Sequence, residues 1–144
     1  MKLSTRSRYG TRLLLEMARN YNGGPMQLGE IAKRLGVSVK YLEQIIIPLK
    51  KAGYIDSVRG PKGGHILARP PAEVTVAEIV TLLEDGVTLV ECVEYPSVCG
   101  RSPICPTRVL WKAVSEAMLA QMHVTLADLA AQAEALEKQF PQLP

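Results

Sequence analysis

Residues 28–51 read LGEIAKRLGVSVKYLEQIIIPLKK, a stretch that decides the fold because two helical patterns flank a tight turn. The first helix is predicted over about Gly29 to Leu35, and the small side chain of Ala32 permits close approach of a second helix. A glycine ends the first helix, and the hydroxyl of Ser38 can cap the second, predicted over about Val39 to Ala52. This layout is typical of a helix-turn-helix.

The second helix of this pair is amphipathic. Its inward face is predicted to carry the apolar residues Leu42, Ile45, Ile46 and Leu49. Pro48 should kink the helix because proline removes a backbone hydrogen bond. Candidate base-reading residues lie at its N-terminal end, and they are Ser38, Lys40, Tyr41, Glu43 and Gln44. In a helix-turn-helix this end enters the major groove of DNA, so the sequence predicts double-stranded DNA as a partner.

A further helix and a hairpin flank this pair. The helix is predicted over about Ser4 to Tyr21, with apolar and aromatic residues recurring every fourth position. Two strand-like runs, Tyr54 to Arg59 and His65 to Ala68, surround a glycine-rich tip that contains Lys62. Such a tip can act as a wing, with Arg59 entering a narrow minor groove. The predicted fold is therefore mainly α with a small β-hairpin, a winged helix-turn-helix; an ordinary surface hairpin beside a core helix pair is the alternative.

The charge is unevenly distributed along the chain. Residues 1–70 carry 13 Lys or Arg against 4 Asp or Glu, a balance of +9, whereas residues 71–144 carry 4 against 10, a balance of −6. A basic half suggests that this part of the chain faces a polyanion, although chance segregation of solvated charge gives the same count. We predict a DNA-binding region over residues 1–70 and a separate region over residues 71–144.

Several classes of protein are disfavoured by what the sequence lacks. At 144 residues the chain fits one compact domain, or a small domain with an oligomerisation extension. It has no apolar run of membrane-spanning length and no signal-peptide pattern, so we expect a cytoplasmic protein that does not enter a membrane. It also lacks a Cys-x-x-Cys pair, a phosphate-binding loop and a Ser/His/Asp set, so no enzymatic activity is expected.

A second candidate site lies in a loop over about residues 87–106. It holds the three cysteines of the chain, Cys92, Cys99 and Cys105, among prolines and glycines that favour an irregular backbone. Thiolates are preferred ligands of iron–sulfur clusters and of zinc, and an odd number of cysteines argues against a disulfide framework. Pro106 should begin a helix, which would place Cys105 at the positive end of its dipole. Three free or transiently oxidised thiols are the alternative.

The C-terminal region is predicted to be helical from about Thr107 to Gln139, with a break near His123-Val124-Thr125. Its first part carries a stripe of large side chains at helical spacing, Leu110, Trp111, Val114, Met118 and Met122. We interpret this long helix as a dimerisation element, since it is long for the domain that it would cover. Packing within the same chain would produce a similar stripe.

Taken together, these features resemble the Rrf2 family of bacterial winged-helix regulators, over nearly the whole chain. The resemblance rests on Lys2-Leu3-Ser4 with Arg8-Tyr9, on Val37-Ser38 with Tyr41-Leu42-Glu43-Gln44, on Ser57-Val58-Arg59-Gly60-Pro61-Lys62-Gly63-Gly64, and on the cysteine cluster. It implies a homodimer on a roughly palindromic operator. It also implies that Tyr41, Glu43 and Gln44 occupy recognition-helix positions and that Arg59 is the arginine of the wing.

The resemblance further makes Cys92, Cys99 and Cys105 the matching ligands of an iron–sulfur cluster, with the 2Fe–2S type favoured over 4Fe–4S. Two departures leave the fourth ligand open. Six residues separate the first two cysteines, where cluster-binding members usually have five, and Arg108 stands where the family's histidine ligand lies. Glu91 and Glu94 are candidates, although each is also a plausible solvated charge. A cluster-free regulator controlled by a protein partner or by thiol oxidation is the second hypothesis.

Overall fold

Helices dominate the computed structural model, which describes residues 2–142. The α-helices are α1 Thr5–Arg19, α2 Leu28–Leu35, α3 Val39–Lys51, α4 Val76–Glu84, α5 Glu91–Glu94, α6 Pro106–Gln121 and α7 Leu126–Gln139. Strands β1 Ile55–Val58 and β2 Gly64–Leu67 pair antiparallel, with Ile55 opposite Leu67 and Val58 opposite Gly64. The mainly α fold with a small β-hairpin is therefore confirmed.

Side-chain caps determine where several helices begin. The Ser38 hydroxyl accepts a hydrogen bond from the backbone N–H of Tyr41 at the start of α3, as the sequence predicts. Thr75 and Thr125 each form a reciprocal capping box with an acidic residue three positions on, and they begin α4 and α7. The predicted break in the C-terminal helix is confirmed, because α6 ends at Gln121 and α7 starts only after Thr125.

One local prediction differs from the structure. Helix α1 ends at Arg19 and not near Tyr21, because the N–H of Tyr21 turns back to the Ala18 carbonyl and Asn22 adopts a left-handed backbone with φ of 66°. Tyr21 is therefore exposed rather than part of the helix. Helix α3 continues through Pro48 to Lys51, close to its predicted end, and the kink expected at the proline stays a prediction.

The hydrophobic core lies where α1, α3 and α4 meet. Buried side chains from these helices include Leu13, Leu14, Met17, Leu42, Ile45, Leu49, Ile79 and Leu83. Helices α1 and α4 approach closely at Gly10, where a β-carbon would overlap Leu83 Cδ1. On α3 the predicted inward-facing residues are all buried, and they are Leu42, Ile45, Ile46 and Leu49. The opposite side of that helix is therefore available for other contacts.

Helix α7 packs on the N-terminal half of the same chain. Leu126 is fully buried in the core, and its N–H donates to the Val74 carbonyl at 2.9 Å. At the other end of α7, Glu137 forms an exposed ion pair of 2.8 Å with Arg19 of α1. Helix α7, part of the acidic region 71–144, thus completes the hydrophobic core formed by residues 1–70. A functional division of the chain near residue 70 stays a prediction.

A search of residues 2–142 finds no helix with both the length and the apolar character required to cross a membrane. The cytoplasmic location stays a prediction from the sequence.

Candidate functional site

The outward face of α3 presents polar side chains next to the turn that follows α2. Lys40, Glu43 and Gln44 are exposed, and Lys50 continues the exposed side toward the C-terminal end. Ser38 lies at the start of the helix, where its hydroxyl oxygen already accepts the capping bond from Tyr41. The structure therefore brings the predicted base-reading residues to one surface, with the hydroxyl hydrogen of Ser38 still available as a donor.

Tyr41 differs from its neighbours because its side chain is half-buried. Its ring meets the ring of Tyr9 edge-to-face, with centroids 5.9 Å apart and planes at 86°. The Arg12 guanidinium lies over the Tyr9 ring, 5.2 Å from its centroid. The aromatic pair fixes α3 against α1, and the cation on Tyr9 adds positive charge beside the outward face of α3.

Ile47 is a surface residue that the sequence prediction missed. It is 65% exposed on α3, one turn after Glu43, although it follows two buried isoleucines. The signal was present in the helical spacing, because position 47 shares a face with the polar residues at 40, 43 and 44. An exposed apolar side chain on a reading helix can contact the methyl group of thymine.

The hairpin is held to the body of the protein by a third extended segment. Met26 and His65 exchange backbone hydrogen bonds of 2.9 and 2.8 Å, and the Gln27 side-chain amide donates to the Gly63 carbonyl. Gly64 has φ of 156°, and a β-carbon there would overlap the Met26 carbonyl. The hairpin therefore needs glycine where it meets this segment, while Arg59 and Lys62 stay exposed at its tip.

His65 belongs to the supporting part of the hairpin. Its Nδ1 lies 3.1 Å from the Ser57 hydroxyl, across the two strands. Burial, together with the nearby Lys50 ammonium, lowers the pKa of His65 below its usual value, so the ring is neutral at pH 7. Because His65 lies on β2 and not at the tip, we interpret it as a residue that packs within the hairpin.

The cysteine loop is fastened to α6 at two points. The Arg108 guanidinium donates from Nε to the Cys92 carbonyl at 2.7 Å, and the N–H of Leu89 donates to the Ser115 hydroxyl at 3.2 Å. Cys92 lies on the short helix α5, and Cys105 directly precedes α6. The loop backbone is therefore hydrogen-bonded to α6 on both sides of α5's start.

Cys105 has the environment that its place before a helix predicts. The Thr107 hydroxyl, 3.2 Å from Cys105 Sγ, and the backbone N–H of Arg108 lower the pKa of this thiol below its usual value. All three cysteines are free thiols; Cys99 is exposed, and Cys92 and Cys105 are half-buried. The lowered pKa increases the fraction of Cys105 present as thiolate, the form that is both nucleophilic and metal-binding.

The cysteine thiols of the loop are chemically suited to ligate an iron–sulfur cluster. In the structure, however, the potential ligands of the loop do not lie close together. Among residues 2–142, no three His, Cys, Asp or Glu side chains lie close enough to hold one metal ion. The carboxylate of Glu94 is directed to the loop before α5, near Gly86 and Thr88. Ser102, between the last two cysteines, is buried and its hydroxyl has no hydrogen-bond partner within the described chain. Three thiols and one unsatisfied hydroxyl thus lie within fourteen residues of sequence.

The first turns of α6 carry an exposed apolar surface. Ile104 is 85% exposed just before the helix, and Val109, Leu110 and Trp111 are 67%, 53% and 39% exposed. The predicted stripe is divided, because Val114, Met118 and Met122 are half-buried against the same chain. Several large apolar side chains exposed within a short segment are typical of a protein–protein contact. We use the name α6 face for Ile104, Val109, Leu110 and Trp111.

Comparison with known proteins gives a family match and close relatives. A family model described as "Rrf2: Iron-dependent Transcriptional regulator" matches residues 3–132. Protein rrf2 of Nitratidesulfovibrio vulgaris is 45% identical over 130 residues, which cover 90% of this chain and 87% of that protein.

Solved structures of two regulators also match this chain over most of its length. The global cysteine regulator CymR of B. subtilis superposes with a TM-score of 0.78 at 34% identity, over 92% of this chain and 98% of that one. IscR of T. potens superposes with a TM-score of 0.78 at 34% identity, over 100% of this chain and 93% of that one.

Proposed function

Because the chain belongs to the Rrf2 family of DNA-binding transcription regulators, we propose that it acts as a homodimeric sensor that holds an iron–sulfur cluster and reads a palindromic operator. The family model and the CymR structure are described as regulators, and the chain is not an enzyme. The observation that carries the proposal is the hydrogen-bonded link between the cysteine loop and α6, the helix whose exposed apolar face suits a second copy.

Operator reading is assigned to α3 and the wing. Lys40 and Gln44 can donate to base edges, while the Glu43 carboxylate can accept from cytosine N4 and repels phosphate, so it restricts which sites bind. Arg59 at the wing tip enters the minor groove, and Lys62 contacts phosphate. The opposite sides of α3 and of the hairpin pack against the rest of the chain, so these residues lie on the exposed surface.

Sensing is assigned to Cys92, Cys99 and Cys105, which would hold the cluster. A bound cluster would supply a centre that responds to oxygen, redox state or iron supply. Closure of the loop around it would move the Cys92 carbonyl, to which Arg108 of α6 donates. Two α6 helices in contact would then change the distance or angle between the two reading helices of the dimer, and with it operator affinity.

The first test concerns DNA. Replacement of Arg59 by alanine should weaken binding to a selected genomic site by about 1–3 kcal/mol and bring it closer to binding of random DNA. Lys62→Ala should instead weaken both kinds of DNA similarly and reduce the slope of log affinity against log salt by about one. Fluorescence anisotropy at several salt concentrations measures both effects. Equal losses on selected and random DNA for Arg59→Ala would contradict its role in reading sequence.

The second test concerns the cluster. Protein purified without oxygen should be coloured and contain about two iron and two acid-labile sulfide ions per protomer for the 2Fe–2S type. A variant with alanine at Cys92, Cys99 and Cys105 should be colourless, because its thiolate ligands are gone. If that variant retained its iron, the three cysteines would not be the ligands.

A cluster-free regulator is the second candidate, favoured by the open arrangement of the three thiols and by the hydrogen bonds that lower the pKa of Cys105. A colourless parent protein whose operator affinity changes with a thiol oxidant, and no longer changes after Cys105→Ala, would favour it. A colourless parent that ignores oxidant would instead favour control by a protein partner.

A further inference from the structure

Ile47 is the most exposed large hydrophobic side chain among residues 2–70, at 65%. It lies in the interior of α3, so its exposure is not an effect of a helix end. The two isoleucines before it, Ile45 and Ile46, are buried and belong to the core, whereas Ile47 contributes nothing to that core. Its apolar surface is therefore available to a partner outside the chain.

The helical spacing places Ile47 on the same face as the predicted base-reading residues. Lys40, Glu43 and Gln44 precede it by seven, four and three residues, and all three are exposed. Side chains at these same relative positions read the major groove from the recognition helix of a homeodomain. Lys50, three residues after Ile47, is also exposed and can contact phosphate. Ile47 thus completes a four-residue surface that suits the major groove.

The chemistry of this side chain favours one base. Thymine presents an apolar C5-methyl group in the major groove, whereas the other base edges present hydrogen-bond donors and acceptors. An isoleucine that covered a donor or an acceptor would remove it from water without a new hydrogen bond, which is unfavourable. A β-branched side chain also keeps one preferred rotamer in a helix, so its place in the groove is well defined. Ile47 is therefore suited to contact a methyl group.

We propose that Ile47 is a specificity-determining residue that reads the methyl group of one thymine in each half of the operator. This inference rests on the operator reading assigned to α3 under the proposed function, and it identifies one of the bases. The helix rises about 6 Å over the four residues from Glu43 to Ile47, and stacked base pairs are about 3.4 Å apart. The thymine should therefore lie within about two base pairs of the position that Glu43 reads.

The test starts from the DNA sequence that the full-length parent selects from a random pool. Each thymine is replaced in turn by deoxyuridine, which lacks only the methyl group, and affinity is measured by fluorescence anisotropy. At one position in each half-site the replacement should weaken binding by the parent about fourfold, as expected when one buried carbon group is lost. Ile47→Ala should bind the thymine and deoxyuridine sequences equally, because its side chain is too short to reach the methyl group.

Two further variants make the test specific. Val39→Ala is the matched control, because Val39 is a β-branched residue on the same helix, 41% exposed and about 80° around the helix axis from Ile47. It should keep the fourfold effect of the methyl group. Glu43→Ala is put through the same selection, and the base pair at which its preference relaxes marks the position that Glu43 reads.

The outcomes separate this inference from operator reading itself. If Glu43→Ala relaxes one base pair, but deoxyuridine costs the parent and Ile47→Ala the same affinity at every thymine, Ile47 does not read a methyl group. Operator reading by α3 would then stand without it. A parent that selects no sequence overturns both the operator reading and this inference.

Discussion

Replacement of Leu126 by alanine should lower the free energy of unfolding by about 2–5 kcal/mol, the usual cost of emptying a leucine site in a core. Leu126 is 0% exposed, and it belongs to the same buried cluster as Leu13, Ile79 and Val74. Its removal would leave a cavity where α7 docks on the N-terminal half. Urea denaturation followed by circular dichroism measures the change in the free energy of unfolding.

Leu136 provides the matched control on the same helix. It is 49% exposed, so Leu136→Ala should change the free energy of unfolding by no more than about 0.5 kcal/mol. The contrast between the two leucines tests whether α7 is part of the cooperative folding unit. Similar small effects at both positions would show that α7 is an appendage, and the contact seen with α1 would then contribute little.

Replacement of Leu110 by aspartate should convert the proposed dimer to a monomer and reduce operator affinity on the order of a hundredfold or more. Leu110 is 53% exposed on the α6 face, where a carboxylate would have to be buried in a second copy without a partner. Two linked reading heads bind a palindrome with avidity that one head lacks, which explains the size of the expected loss. Sedimentation velocity and operator titration measure the two effects.

Lys112→Asp is the control, since Lys112 is exposed on the same helix and outside the α6 face. Its ion pair with Glu116, at 3.8 Å, joins two exposed side chains and contributes little to stability. This variant should remain dimeric and bind the operator nearly as the parent does. A monomeric Lys112→Asp, or a dimeric Leu110→Asp with full affinity, would place the interface elsewhere.

The elements that the sequence predicted well are those with local causes. Ser38 and Thr125 cap their helices with side-chain bonds to residues three positions away, so these starts are readable from short segments. The inward face of α3 follows from the helical period in the same way. Cys105 likewise acquires its lowered pKa from residues two and three positions on, Thr107 and Arg108.

The features that the sequence analysis missed depend on contacts between distant segments. Tyr41 is a surface candidate by helical position, but Tyr9 lies against it because α1 crosses α3. Ser102 gave no sequence signal by itself, since only the packed loop reveals that its hydroxyl is buried and has no hydrogen-bond partner among residues 2–142. Neither burial nor a missing hydrogen bond can be deduced from a residue's neighbours along the chain.

The order of helices, the wing, the basic half and the three-cysteine loop were determined by the sequence itself, because period, capping and charge act over a few residues. The tertiary structure determined which side chains remain exposed after the helices pack. It buried α7 against α1 and placed the Cys92 carbonyl within hydrogen-bond distance of Arg108. These outcomes depend on how whole helices pack, since burial and long-range hydrogen bonds are properties of the assembled core.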